Sequence, residues 1–458
     1  MVHDTASVLF GVEGLQVIDA EPGPDGTVEV WAVTDYPAAA ACPDCGMISA
    51  RRHDTVLARP RDVRRAGDRV VVWWVKCRWK CDEPGCGRKT FTEWLPQVPP
   101  RCRLTARLRE QAGAEVSERG IPPAEAARHA GVSWPVAHEA FAAAADPVLD
   151  QAPAPVGHLG IDEHRRGRPR WRIDEQTGEY LLLADRWHTC FFDLSGGRGL
   201  LGQVEGRTAD DAAYWLAQAT PAGRDAVRVV AIDMCSIYAS AVRRMLPGAQ
   251  IAVDLFHVVH LAVKMTGDVR RRVVRGKYGR RGRSGDPEYG IKNLLVRNLE
   301  HLSGGQFAKI TGILQAGAAG QEIAAAWIGK EKLRHALNLR ARATGSVPSG
   351  RNVRDRLFAF HDWCAQNDDI PELLSLARTV SRWEDEIICA VLTGVTNAAS
   401  ESLNRLAKLE ARLAYGFRNP ANQRRRVRIA CTRGTKRQSR TATARRTRQV
   451  IGRKPDPG

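Results

Sequence analysis

Long apolar runs are missing from this 458-residue chain. None approaches the roughly 20 residues that a membrane-crossing helix needs, so no membrane partner is expected. The opening stretch, MVHDTASVLFGVEGL, has no basic segment followed by a long apolar one, and no secretory signal is read from it. Acidic residues are in deficit. The chain has 51 Asp and Glu against 69 Lys and Arg, a formal net charge of +18. That surplus points to a polyanionic partner. A disulfide framework is also missing, because the eleven Cys are odd in number and irregular in position. They read as reduced thiols, some of them metal-bound, in a cytoplasmic, nucleoid-associated protein. No internal repeat is found.

Apolar residues make up 43% of the chain, enough to bury real cores. The length suggests two to four units of about 100–200 residues each. Residues 1–40 read as a β-hairpin around a Gly/Pro/Asp turn. Residues 104–145 have helical spacing, and a Pro-rich break, DQAPAPVG, follows. Strands are then expected in VGHLGIDEHR, RWHTCFFDL, GLLGQVEGRT, AVRVVAIDM and AQIAVDLFH, with helices between the later ones. That order implies a multidomain α/β protein with a mixed sheet. Residues 258–390 are almost wholly helical in period, and a last helix covers 397–412. The segment beyond Arg424, rich in Arg, Lys, Thr and Ser, reads as a disordered tail. The resulting division is 1–100, 101–150, 155–265, 266–385, 386–423 and 424–458.

Cys42 and Cys45 form a two-residue knuckle closed by Gly46, and Cys81 and Cys86 form a second pair around Pro84 and Gly85. Four thiolates close a tetrahedral Zn²⁺ shell with no open position, so this zinc is structural. Cys77, four residues before Cys81, competes as a ligand. The other six Cys are isolated and read as packing residues. A zinc-binding β module over 1–100 would present Arg51, Arg52, Arg61, Arg64, Arg65 and Arg88 to phosphates. Next to it, IPPAEAARHAGVSWPVAHEAFAAAA reads as a helix-turn-helix. Gly131 takes the left-handed turn and Ser133 caps the second helix. Trp134, His138 and Glu139 would then lie near base edges or backbone.

Asp162 and Asp233 end apolar strands in LGIDEH and VVAIDMC. An acid buried there is costly unless it is paired or bound to a cation. Hard oxygen ligands suit Mg²⁺ or Mn²⁺. Asn397, Glu401, Asn404 and Lys408 are spaced by four, three and four residues, which puts them on one helix face. An acid, two amides and a lysine on one stripe make sense if the stripe lines a metal- and phosphate-binding cleft. Asn397, Asn404 and Lys408 are candidates for orienting the phosphate. Glu163, Asp254, Glu386 and Glu410 compete for the third acid. Asp254 and His257, in VDLFHVVH, read as a helix cap and a packed His.

Together, CPDCG, CDEPGCGRKTF, GVSWP, GIDEH, AIDMC, VDLFHVVHLA and TNAASESLNRLAKLEARLAYGFRN resemble transposases of the ISL-three insertion-sequence family over nearly the whole chain. The resemblance implies an RNase H-like core of the Asp-Asp-Glu (DDE) type, interrupted by an all-α insertion, with an N-terminal zinc module and a helix-turn-helix. It carries the catalytic acids onto Asp162, Asp233 and Glu401, and an Asp-x-x-His motif onto Asp254 and His257. The implied reaction is phosphoryl transfer with two divalent ions, Mg²⁺ or Mn²⁺. Phosphodiesters at the element ends are hydrolysed, and the freed 3′-OH groups join target DNA. The implied partners are double-stranded DNA (terminal inverted repeats and target) and further copies of the chain. Two other readings compete. A non-catalytic zinc and helix-turn-helix regulator leaves residues 155–412 unexplained. An RNase H-like nuclease or junction resolvase leaves the zinc module and the helical insertion unexplained.

Overall fold

The computed structural model describes residues 5–23, 26–65, 67–339 and 348–433. The chain divides into two compact units, Met1–Asp150 and Gln151–Gly458. Among the described residues no helix is long and apolar enough to cross a membrane.

In the first unit, α1 (Thr5–Phe10) precedes a sheet of β1 (Leu15–Pro22), β2 (Thr27–Thr34), β3 (Arg52–Ala58), β4 (Arg69–Lys80) and β5 (Thr90–Thr92). The order is β1-β2-β4-β3, with β5 also on β4. β1 and β2 form the antiparallel hairpin expected from the turn between them. The β-branched and aromatic run VVVWWV makes β4 the central strand. Trp74 is fully buried there, and its indole N–H donates to Thr34 Oγ1 at 2.9 Å.

Three helices follow: α2 (Ala106–Ala114), α3 (Pro123–Ala130) and α4 (Trp134–Leu149). The helical stretch read over 104–145 is therefore interrupted twice. Gly120 (φ 79°) and Gly131 (φ 63°) adopt the left-handed conformation that ends a helix. Ala112, Ala127 and Ala137, one from each helix, form a common small-residue core that lets the helices approach closely.

The second unit is built on a mixed sheet of β6 (His158–Arg165), β9 (Trp187–Asp193), β10 (Leu200–Glu205), β11 (Val229–Ile232) and β12 (Gln250–Val253). The order is β10-β9-β6-β11-β12. β6–β9 and β9–β10 are antiparallel, whereas β6–β11 and β11–β12 are parallel. All five strands read from the sequence are present. A separate two-stranded ribbon, β7 (Arg170–Ile173) and β8 (Tyr180–Ala184), lies between β6 and β9 in the chain and was not read. α5 (Ala209–Ala217) and α6 (Ser236–Met245) cover the sheet.

The helical body begins with α7 (Leu255–Tyr278) and includes α8 (Ala318–Leu337), α9 (Gly350–Ala365), α10 (Pro371–Arg382) and α11 (Glu384–Thr393). Boundaries drawn at 265–266 and 385–386 thus fall inside α7 and α11. Val258, Ala262, Met265 and Val269 of α7 belong to one apolar core with residues of the sheet and of α8–α10, so no break in packing marks those positions. The tail needs a second correction. Residues 420–433 are helical, and residues 434–458 lie outside the described residues. The helix is held because Arg426 pairs with the buried Glu410 at 2.7 Å and Arg428 donates to the Leu200 carbonyl.

Glu410 belongs to α12 (Ala398–Leu413), which lies against β6 and β9. The close approach depends on Gly160 in β6. A Cβ added there would collide with Ser400 Oγ on α12 and press on the Leu194 side chain at 3.1 Å. Gly160→Ala is expected to cost about 1–3 kcal/mol through overpacking. Adding Ser400→Ala, which removes the colliding oxygen, should restore part of it. Denaturant unfolding of the two variants checks this; equal stability of Gly160→Ala and the parent would refute the close contact.

Candidate functional site

Asp162 does not end its strand. β6 runs three residues further, paired antiparallel with β9, and Asp162 stands opposite Cys190. What ends near it is the parallel partner, whose pairing with β6 stops at Gly160–Ala231. Asp233 follows immediately after β11. The two acids therefore sit where two parallel strands part, a place where open α/β sheets form a crevice.

α12 closes the crevice. Asn404 Nδ2 donates to Asp162 Oδ2 at 2.6 Å, and Asn397 Nδ2 lies 3.4 Å from Asp233 Oδ1. Both asparagines are buried. These amides, candidates for orienting a phosphate, each direct an N–H group onto one of the two carboxylates. Their Oδ1 atoms are buried without a hydrogen-bond partner among the described residues. Lys408, on the same face, is exposed.

The side chain of Asp254 caps α7, accepting from Phe256 N at 2.8 Å. The cap starts the helix so that His257 Nε2 stands 3.4 Å from Asp233 Oδ2 and 4.0 Å from Glu401 Oε1. His257 is thus not merely packed; it bridges the second strand acid and the helix acid. Asp233, Asp254 and His257 bring their ligand atoms within 4.8 Å of one another. Glu401 is half-exposed, and among the described residues its second ionic contact is a loose one, Arg405 at 3.8 Å.

Of the other acids considered for the third place, Asp254 stays beside Asp233 and His257 as the helix cap, whereas two are engaged elsewhere. Glu410 is buried against Arg426, and Glu386 is held by Arg243. Glu163 alternates to the opposite face of β6 from Asp162.

Burial, reinforced by the charge of Asp233, pushes the Asp162 carboxyl up to about 6, against the lowering effect of the Glu163 N–H and the Asn404 amide. Behind it, burial drives His164 down to about 4 and His188 to about 3, so both rings are neutral. A cation at the acids would reverse the shift on Asp162.

Sequence reasoning missed part of the surroundings. Asp233 and His257 share a cavity of about 410 Å³ with His260, Arg382 and Trp383. The last two come from SRWED, which carries no recognisable spacing relative to the acids, because only the folding of α10 back along α7 brings them near.

In the first unit, Cys42, Cys45, Cys81 and Cys86 place their sulfurs within 4.8 Å of one another, with Cys42–Cys86 at 3.9 Å and Cys45–Cys81 at 3.6 Å. The set is compatible with one zinc ion. Cys77 lies outside it, buried on β4, with its N–H donating to Glu93. Although desolvation opposes it, backbone N–H groups of Cys45 and Asp44 bring the Cys42 thiol down to about 7. The Glu83 N–H favours the Cys81 thiolate, yet desolvation and the neighbouring thiols push Cys81 up to about 12. Sulfurs this close cannot all ionise without a cation.

Ser133 stands at the N-cap of α4 in extended conformation, but its hydroxyl makes no capping bond. Trp134 is exposed and stacks on His138 with ring centroids 4.7 Å apart. Of the arginines read as phosphate contacts, Arg65 is turned onto the Phe10 carbonyl, Arg51 pairs with Asp82 and Arg88 with Asp44. Arg52 and Arg64 are exposed, and neither has a carboxylate partner among the described residues.

Two outcomes follow. Proton and cation compete for Asp162, so Mn²⁺ affinity should fall as pH drops through about 6. The loss should approach about tenfold per pH unit below that point. Titration calorimetry measures it, and an affinity that stays flat would remove Asp162 from the ligands. For the thiols, elemental analysis of Cys42→Ser and Cys86→Ser should show loss of zinc, and Cys77→Ser should retain it. Unchanged content in the first two would reject that set.

Residues 159–427 match a family model described as a transposase. The transposase for insertion sequence element IS1001 of Bordetella parapertussis is 24% identical over 386 residues, which cover 82% of this chain and 85% of that protein. The transposase for insertion sequence element IS1557 of Mycobacterium tuberculosis is 28% identical over 211 residues, covering 42% of this chain and 45% of its own. The family match spans the strand acids, His257, the cavity and α12, and the chain belongs to the ISL3 family of DDE transposases.

Proposed function

We propose that this transposase cuts and joins DNA with Asp162, Asp233 and Glu401 as its metal-binding carboxylates, on an RNase H-like core interrupted by the helical body. The observation that carries the reading is the convergence of three elements. Asp162 from β6 and Asp233 after β11 are tied to one helix by Asn404 and Asn397, and His257 links Asp233 to Glu401 on that helix. The donor set fits hard divalent ions, since crowded, partly buried carboxylates favour a cation over mutual repulsion. When bound, Mg²⁺ or Mn²⁺ would lower the pKa of the attacking hydroxyl and offset charge on the leaving oxygen.

The chain's own residues supply orientation. The two amides hold the strand acids in fixed rotamers, and His257 keeps Asp233 and Glu401 apart at a set distance. Lys408, exposed on the same helix face, is placed to contact a phosphate oxygen. Water first attacks the phosphodiester at an element end, and the P–O3′ bond breaks to leave a 3′-OH. That hydroxyl attacks a target phosphodiester in line. One P–O bond forms as another breaks, so joining needs no external energy source and no covalent enzyme intermediate.

The first unit is proposed to hold the terminal inverted repeats. α4 would enter the major groove with Trp134 and His138 outward, supported by a zinc-stapled module carrying Arg52 on β3 and Arg64 in the segment before β4. Affinity then falls with salt as phosphate contacts release counterions.

Asp233→Asn keeps the side chain's shape and removes its charge. The purified variant should still shift inverted-repeat DNA but fail to nick it with Mg²⁺. Normal cleavage by it would sink the assignment. With the parent protein, transfer of pre-cut 3′ ends into a target separates a transposase mechanism from simple nuclease action.

A further inference from the structure

The β7–β8 ribbon has no role in the reading above. It is an isolated two-stranded sheet that leaves the fold between β6, which carries Asp162, and β9. Its register pairs Trp171 with Leu182 and Ile173 with Tyr180. Cross-strand partners share a face, so these four side chains form one continuous apolar surface. They are 53%, 47%, 52% and 71% exposed, respectively. A two-stranded ribbon in water is marginal by itself and gains stability when an apolar face is covered. Contiguous exposed apolar area of this kind marks an interaction surface.

Charge identifies the occupant. The tip, closed by Asp174 N donating to Glu179 O, carries Asp174, Glu175 and Glu179. The root carries Arg168, Arg170 and Arg186. Neither group forms an ion pair among the described residues, whereas Arg165 and Arg166 nearby are committed to Asp185 and Glu205. Desolvation, and then the charges of Arg170 and Arg166, hold the Arg186 guanidinium below its ordinary range against the opposing charge of Glu205, so the root carries more positive charge than Asp185 and Glu205 offset. The ribbon is therefore acidic at one end, basic at the other and apolar along one face. Two such ribbons laid face to face in opposite directions put each acidic tip on the other's basic root. A two-fold axis generates that arrangement from identical chains.

We infer that the β7–β8 ribbon is a self-association element, packing apolar face to apolar face against the same ribbon of a second copy of this chain. Its purpose rests on the transposase reading, in which two element ends require two active sites. Packed sheets lie about 10 Å apart, which lets Trp171, Ile173, Tyr180 and Leu182 interleave with their copies. Because the ribbon is continuous with β6, association would also brace the strand that presents Asp162. Duplex DNA fits the surface less well, since the apolar face offers nothing to phosphates.

The test is a charge exchange read by analytical ultracentrifugation of the full chain without DNA or added Mg²⁺. One variant combines Arg168→Glu and Arg170→Glu, reversing two of the three root charges. The other combines Glu175→Arg and Glu179→Arg, reversing two of the three tip charges. The parent should dimerise, and each variant should self-associate at least about tenfold more weakly. An equimolar mixture of the two variants should regain the dimer, which folding defects could not produce. Trp171→Asp should abolish association while leaving circular dichroism unchanged. Dimers of undiminished strength in all three variants would overturn the inference, as would a mixture that stays monomeric. A monomeric parent whose DNA affinity falls with the acidic variant would overturn it in favour of a DNA contact. The readout involves no cleavage, so its failure is separate from failure of the Asp233 assignment.

Discussion

The hydrogen bonds from Asn404 to Asp162 and from Asn397 to Asp233 join one helix to two strands, and the crevice at the sheet depends on them. Carboxylates on adjacent parallel strands repel each other, and partial burial removes the water that would screen them. The rise of Asp162 to about 6 measures that tension. Amide donors offset part of it and at the same time fix the acids' rotamers. They can reach only because α12 lies close over β6, with Gly160 beneath Ser400 and with Glu410, further along the same buried face, anchored to Arg426. Packing and electrostatics are therefore one constraint here.

A second element reaches the same crevice from the other end. β12 runs directly into α7 through the Asp254 cap, and the first turn of that helix carries His257 to the acids. The rest of α7 is the spine of the helical body, whose core is continuous with that of the sheet. Arg382 and Trp383, far along the chain, thereby come to line a cavity with Asp233 and His257. The helical body thus supplies part of the wall of that cavity.

The first unit repeats the same physics with sulfur. Four thiols held within 4.8 Å of one another are split in proton affinity, Cys42 low through the backbone N–H groups around it and Cys81 high through desolvation and the neighbouring thiols. In both units, like groups are brought together at a cost that a cation can remove. Two mixed sheets with such clusters, joined at the Pro-rich segment around residue 150, account for why a chain of this length needs more than one core.

Much of this was legible in the amino-acid order. Strand runs such as VVAIDM, the left-handed turn at Gly131, the paired cysteines and the one-faced stripe on α12 follow from local rules of period, spacing and backbone freedom. The sequence also placed Asp162, Asp233 and Glu401 among few rivals. The exclusion of Glu386 and Glu410, however, needed their arginine partners at positions 243 and 426. Cys77 left the cysteine set only because β4 points it into the core. The amides of Asn397 and Asn404 proved to serve the acids themselves, which spacing along a helix cannot reveal, since it fixes a face but not what that face meets. The β7–β8 ribbon escaped notice because β7 alternates Arg with exposed apolar residues and β8 is a short run with no buried face to recognise. Sequence by itself determined the elements and the chemistry they carry. Tertiary structure alone decided which groups neutralise one another, because charge pairing and burial depend on distances between residues that local patterns do not encode.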